Sequence, residues 1–168
     1  RDRLNPAHHL GALVDKEHFK KVSSYLKKGK KLIGGKTEGG CYVPPTIIDG
    51  VKPGDKLARE EVFGPVLAVI TVRSTDEAIA IANDSDYGLA ASLFSANGKQ
   101  ALRAAREIRA GTVTINCYGE GDITTPFGGY KQSGFGGRDN SLHAHDQYTE
   151  LKTIWIDLSD RNAQDPVD

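Results

Sequence analysis

The stretch VLAVITVRSTDEAIAIANDSDYGLAASLFSANGKQALRAAREIRAGTVTIN, Val66 to Asn116, decides the fold class because its hydrophobic period changes from strand to helix and back twice. Pro65 opens a strand, Val66 to Val72, that is apolar nearly throughout and reads as buried on both faces. Ser74-Thr75-Asp76-Glu77 fits the capping box, and Ala78, Ile79 and Ala82 follow on the inner side of a helix ending near Asn83 to Asp86. Leu89 to Phe94 reads as a second strand. Asn97 caps a further helix, with Ala101, Leu102, Ala105 and Ile108 as its apolar stripe and Gly111 closing it. Thr112 to Asn116 is a third strand. Strands alternating with helices of about a dozen residues predict βαβ units, parallel pairing and right-handed crossovers, so the fold class is α/β.

Outward from this block the punctuation is set by Gly and Pro. Upstream, Asp15 caps a helix whose apolar face is Phe19, Val22 and Leu26, with Gly29 placed to stop it. Lys20, Lys21, Lys27, Lys28, Lys30 and Lys31 crowd that helix and its exit and read as a solvated face. Gly34-Gly35 and Gly39-Gly40 flank a short polar turn, and Pro44-Pro45 keep helix away from a strand at Thr46 to Ile48. Downstream, residues 117 to 140 hold seven of the nineteen glycines, interleaved with Phe127, Tyr130 and Phe135, which favours an ordered loop. A short helix around Asn140 to Tyr148 follows, then a strand Leu151 to Leu158 with Ile154, Ile156 and Leu158 on one face, and a polar, loose tail.

The 168 residues carry 22 Lys+Arg against 22 Asp+Glu, a balance that argues against a general nucleic-acid binder. The longest apolar run, Val66 to Ile70, is far short of a membrane span. Two cysteines make no disulfide framework, so a reducing, cytoplasmic compartment is expected. No methionine occurs and the sequence starts Arg1-Asp2-Arg3, from which the expectation is a piece of a longer polypeptide.

Few residue groups announce chemistry. Gly134-Phe135-Gly136-Gly137 is glycine-rich, yet it lies in a loop rather than between a strand and a helix, so a dinucleotide-phosphate fingerprint is not expected. His143 and His145 point to different faces of a helix, and no metal site is expected from them or from His8, His9 and His18. Cys117, at a strand end beside the glycine loop, is a better candidate nucleophile than Cys41, and both read first as small apolar residues. Glu60-Glu61-Val62-Phe63-Gly64-Pro65 is the most informative short run. In extended chain Glu61 and Phe63 share a face at a strand's lip, where a carboxylate accepts two hydroxyls, as of a ribose, and an aromatic supports a flat ring. An ordinary exposed acidic turn is the alternative.

Several motifs in order resemble one family. Glu60 to Val66, Ala82-Asn83-Asp84 through Tyr87-Gly88-Leu89-Ala90-Ala91, Gly111-Thr112-Val113 with Asn116, Pro126-Phe127-Gly128-Gly129-Tyr130-Lys131-Gln132-Ser133-Gly134, and Tyr148-Thr149-Glu150-Leu151-Lys152-Thr153 are similar to the NAD(P)-dependent aldehyde dehydrogenases, from about Asn5 to Leu158. The resemblance implies the C-terminal part of the catalytic domain over residues 1–149, a partial three-layer αβα arrangement with a mostly parallel sheet. It further implies an oligomerisation strand over 150–159, joining a homodimer or homotetramer through Leu151 to Leu158, and a flexible tail over 160–168. The family's catalytic cysteine and base glutamate belong upstream of Arg1, so no catalytic residue is assigned here and the isolated chain is expected to be inactive. The cofactor is NAD or NADP. Glu61 matches the glutamate that holds the nicotinamide-ribose hydroxyls, and Phe63 the aromatic beside the nicotinamide ring. Phe127 falls on a pocket aromatic at the aldehyde entrance. Gly121 stands where many relatives carry a bulky side chain, and Glu120 and Asp122 add carboxylates there. These imply an aldehyde with a long polar or cationic tail, and the loop looks closest to the γ-glutamyl-γ-aminobutyraldehyde dehydrogenases. A stand-alone, non-catalytic oligomerisation module is the alternative of another class, and an enzyme using Cys117 a third.

Overall fold

A computed structural model describes residues 7, 9–27, 29–37, 39–119, 121–136 and 138–159. The polar tail over 160–168, Glu120, Lys28, His8 and Gly137 lie outside the described residues. The first helix, α1 (Lys16–Tyr25), starts as expected, with the Asp15 carboxylate accepting from the His18 amide at 2.7 Å. It buries Val22, Tyr25 and Leu26 against Val43, Ile48, Val51 and Val62, and these seven residues form the core cluster. Two strands follow, β1 (Lys30–Ile33) and β2 (Thr46–Asp49), then a one-turn helix, α2 (Lys56–Arg59), and β3 (Val66–Ala68). The strand β1 was not legible, because its lysines and fully exposed pattern read as the solvated exit of α1.

The second half runs α3 (Thr75–Asn83), β4 (Tyr87–Gly88), β5 (Ala90–Leu93), α4 (Gly98–Glu107), β6 (Thr112–Ile115), β7 (Tyr130–Lys131) and a 3₁₀ helix, Leu142–Gln147. Ser74 caps α3 by accepting from the Glu77 amide at 3.1 Å, while the Glu77 carboxylate accepts from the Arg73 amide at 2.7 Å, one residue earlier than a reciprocal box would have it. Asn97 caps α4 through the Gln100 amide. Ala101 and Ala104 are the buried face of α4, with Ala105 and Ile108 half-buried beside them. Leu102, expected in that stripe, is 54% exposed, since it lies one residue, about 100° of helix, off the 101–104–105–108 line. Ala82 is likewise exposed.

A mostly parallel sheet is not what the described residues form. There are three small sheets of mixed orientation: β1–β2 antiparallel and β2–β3 parallel in one, β4–β7 antiparallel in another, β5–β6 parallel in the third. The crossovers through α2 and α4 give the parallel pairs that the alternating pattern demands. The α3 connection does not join β3 to β5. Its exit turn is anchored elsewhere: the Lys131 ammonium donates to the carbonyls of Asn83 and Ser85, each at 2.8 Å, and Gln132 donates to Asp86 at 3.0 Å. The run Val66 to Val72 is also not buried on both faces. Val66, Ala68 and Ile70 pack on the core, and Leu67 between them is 58% exposed. Leu151 to Leu158 pairs with no strand among the described residues, and Leu151, Ile154, Trp155, Ile156 and Leu158 all stand exposed. A segment becomes a strand only by bonding to a neighbouring edge, and Leu151 to Leu158 takes up none of those the described residues leave open.

Three glycine motifs meet where backbone touches backbone. A Cβ on Gly111 would lie 1.6 Å from the Gly128 carbonyl oxygen, and one on Gly88 would lie 2.6 Å from the Arg109 carbonyl oxygen. Asn83 closes the same region, donating to Glu107 O at 2.8 Å and accepting from the Arg109 amide at 2.7 Å. Gly111→Ala is expected to cost about 3 kcal/mol or more by overpacking against main chain. Gly98→Ala, in open space at the start of α4, raises stability by about 0.5–1 kcal/mol. Thermal unfolding of the two variants checks the contrast.

Candidate functional site

The segment Glu60 to Gly64 is held by alternate residues. Glu60 ends α2, its amide donating to Lys56 O at 3.0 Å, and leaves the helix in extended conformation. Its carboxylate accepts the Tyr25 hydroxyl of α1 at 2.5 Å and lies 3.5 Å from the Lys56 ammonium, which itself sits 5.4 Å from the Tyr25 ring centroid. Val62 is buried in the α1 core. Gly64 passes so close to α1 that a Cβ there would lie 2.8 Å from Val22 Cγ1. The odd residues are left outside: Glu61 is exposed and makes no hydrogen bond or ion pair among the described residues, and the Phe63 ring is 65% exposed.

The route to that presentation differs from the sequence reading. Phe63 has φ +56°, so the run is not plain extended chain and the alternation of an ideal strand does not by itself explain it. Pinning of residues 60, 62 and 64 does. A left-handed aromatic costs about 1–2 kcal/mol and persists only where its surroundings enforce it. Glu61 lines a cleft of about 420 Å³ with Arg59, Tyr87, Arg109 and Ser133. Phe63 is not among the walls of that cleft, so the structure does not bring the two expected cofactor residues into one cavity.

The Tyr25 hydrogen bond holds the Glu60 carboxyl below the ordinary glutamate range, and the same bond raises the Tyr25 phenol. Nearby Lys56 and Lys21 charges act on Glu60 in the same direction.

The glycine loop builds a second cleft, of about 490 Å³, and here the expected residues do assemble: Gly121, Asp122 and Phe127 all line it. Phe127 is fixed by paired main-chain bonds to Asp139, at 2.8 and 2.6 Å, and Ser141 donates to Ile123 O at 2.6 Å. Asp122 turns its carboxylate onto its own loop, accepting the Thr124 amide at 2.7 Å and the Thr124 hydroxyl at 2.5 Å. Those bonds hold its pKa below the usual aspartate value, so it is ionised at neutral pH. A Cβ on Gly121 would meet nothing within 4 Å. Glu120 lies outside the described residues.

Two walls of this cleft were not singled out from sequence. Tyr118 carried no pattern beyond being aromatic after a strand. Asn140 had one, because Asn tolerates left-handed backbone, and it does adopt φ +60° beside Ser141 at φ +57°. Phe135, expected to help order the loop, is 95% exposed. The expected helix at Asn140 to Tyr148 is a 3₁₀ helix, Leu142–Gln147, with His143 and His145 exposed on it. Cys41 and Cys117 are free and half-buried, and neither lines either cleft. Among the described residues, no group of three or more His, Cys, Asp or Glu is gathered as a metal would require, and no helix is long and apolar enough to cross a membrane.

Residues 1–154 match the model of the aldehyde dehydrogenase family, and the chain belongs to that family. Among its relatives, it is 59% identical over 163 residues to the aminoacetaldehyde dehydrogenase of Pseudomonas aeruginosa, covering 94% of this chain and 33% of that protein. It is 47% identical over 160 residues to the NADP/NAD-dependent aldehyde dehydrogenase PuuC of Escherichia coli, covering 92% and 32%. Crystal structures agree in fold. An indole-3-acetaldehyde dehydrogenase complexed with NAD+ superposes with a TM-score of 0.85 at 51% identity, covering 92% of this chain and 33% of that one. The γ-glutamyl-γ-aminobutyraldehyde dehydrogenase of Burkholderia cenocepacia gives 0.82 at 49% identity, covering 88% and 31%. The chain thus spans about a third of the length of these relatives.

Acid unfolding offers a direct check of the Glu60 contact. Because the folded-state pKa is lowered, the stability that Glu60 contributes is present above the ordinary glutamate value and lost as pH falls through the depressed one. Glu60→Gln is expected to flatten the fall in unfolding free energy between about pH 5 and pH 3, measured by denaturant titration.

Proposed function

We propose that the full-length enzyme carrying this chain oxidises an aldehyde to a carboxylate with NAD+ or NADP+, and that this chain supplies one wall of the nicotinamide site, part of the aldehyde mouth and a segment for assembly. The observation that carries the reading is Glu61, an unengaged carboxylate on a segment pinned at the residues on either side of it. Free carboxylate oxygens suit the two hydroxyls of a ribose, and the open ring of Phe63 suits a flat heterocycle, so these residues fit the group. When bound, the dinucleotide accepts the hydride that leaves the aldehyde carbon. Glu61 then orients and Phe63 shields, and neither exchanges a proton with substrate. No nucleophile or general base is assigned to this chain, and alone it is inactive. The three-layer arrangement of the family's catalytic domain requires the remaining two-thirds of the molecule. Free, half-buried thiols at Cys41 and Cys117 accord with a reducing, cytoplasmic compartment.

The substrate reading follows from the second cleft. Asp122 is held ionised at its rim and Gly121 leaves space, a combination that suits an aldehyde with a polar or cationic tail. The names of two relatives, aminoacetaldehyde and γ-glutamyl-γ-aminobutyraldehyde dehydrogenase, both specify nitrogen-bearing aldehydes and support this class. The exposed apolar run from Leu151 to Leu158 supports assembly into a homodimer or homotetramer, since such a segment left bare is an aggregation edge. The same run is what a stand-alone oligomerisation module would also need, but such a module has no use for an unpaired Glu61.

In the full-length enzyme, Glu61→Gln is expected to lower kcat/KM for the dinucleotide about 10- to 100-fold, the loss of a charged hydrogen bond. Asp122→Asn should erode the preference for amine-tailed over alkyl aldehydes about tenfold with the dinucleotide KM unchanged. Equal ratios before and after would remove Asp122 from the substrate site. For assembly, Ile154→Asp with Ile156→Asp is expected to give a smaller particle by light scattering, and an unchanged mass refutes the role of the segment.

A further inference from the structure

We propose that Tyr25 and Lys56 are positioning residues for the dinucleotide, acting through Glu60 to keep Glu61 free and aimed outward. The inference rests on the role given to Glu61 under Proposed function. Two adjacent carboxylates compete for the same cations and donors, and the spacing of Glu61 to Phe63 does not say what keeps Glu60 out of that competition. The fold supplies the reason. Tyr25 comes from α1 with its ring buried, its hydroxyl donating to Glu60 Oε2 at 2.5 Å, and Lys56 reaches the same oxygen from one turn earlier on α2 at 3.5 Å. Lys56 is in turn held over the Tyr25 ring, so phenol, ammonium and carboxylate form a closed set of three.

The consequence is geometric. Once Glu60 is tied to α1, the peptide between Glu60 and Val62 has its two flanking side chains anchored on one side, Glu60 to Tyr25 and Val62 to the core. Glu60 and Glu61 both line the cleft with Arg59, Tyr87 and Arg109, but the Glu60 carboxylate is held by Tyr25 and Lys56 while that of Glu61 is left without a bond among the described residues. Releasing Glu60 gives the Glu60–Glu61 peptide freedom to rotate. Either carboxylate can then reach the cations nearby, and the entropy of ordering Glu61 falls on the binding step. Tyr25 never contacts the dinucleotide in this account, and neither does Lys56.

Calorimetric titration of the full-length enzyme with NAD+ tests the claim, using Tyr25→Phe, which keeps the ring and its packing, together with Glu61→Gln and the double variant. The expected result is a dissociation constant about five- to tenfold weaker for Tyr25→Phe, an unchanged aldehyde KM, and no further weakening when Tyr25→Phe is added to Glu61→Gln. The absence of additivity is what a general loosening of α1 would not produce. An unchanged dissociation constant for Tyr25→Phe, or losses that add in the double variant, overturns the positioning role and leaves the assignment of Glu61 standing. If Glu61→Gln itself leaves the dissociation constant unchanged, both that assignment and this inference fail together.

Discussion

Main chain packed on main chain is the constraint from which both clefts hang. Gly111 lies against the Gly128 carbonyl, Gly129 against Ser133 and Gly88 against Arg109, and no side chain fits between them. These contacts join the end of α4, the short β4 and the glycine loop into one block, with Asn83 bonding across it to Glu107 and Arg109. One side of the block is the cleft that Glu61, Arg109 and Ser133 line; another, beyond β5 and β6, is the cleft of Gly121, Asp122 and Phe127. A single Cβ at Gly111 would push the loop off β6 and disturb both cavities together.

The other half is organised by apolar burial instead. Helix α1 gathers Ile48 of β2 and Val62 of the Glu60–Gly64 segment onto Val22 and Tyr25, and that segment is shaped by what it buries. Val62 inside and Gly64 against Val22 leave Phe63 no room but a left-handed backbone with its ring outside. Strain at Phe63 is therefore offset by packing two residues away, which is how a folded chain sustains a costly conformation where presentation of a side chain matters.

The chain spans about a third of the length of the relatives it matches, and its exposed large apolar residues are spread from Leu10 to Leu158, most densely over Leu151 to Leu158. At the edge of its small mixed sheet, β3 is paired on one side only, and with its second face uncovered it stays half-exposed.

Local signals written in single residues were legible from sequence. Asp15, Ser74 and Asn97 cap three helices because a short side-chain acceptor next to free amides needs nothing distant. The strands at Thr46, Ala90 and Thr112 stood out by apolar content between turn residues, and the family by motifs in order. What sequence could not show was which edges pair, why Leu102 and Ala82 face out, and that β1 is a strand at all, since its four exposed residues carry no pattern. Spacing to Phe63 and the family motif singled out Glu61, but nothing in the sequence showed what engages Glu60 beside it. Both are glutamates in one acidic run, and only the arrival of the Tyr25 hydroxyl from 35 residues away makes one a structural tie and leaves the other free. Propensity and capping act within a turn of chain, whereas pairing, cover and the choice between two equal side chains depend on groups that only folding brings near.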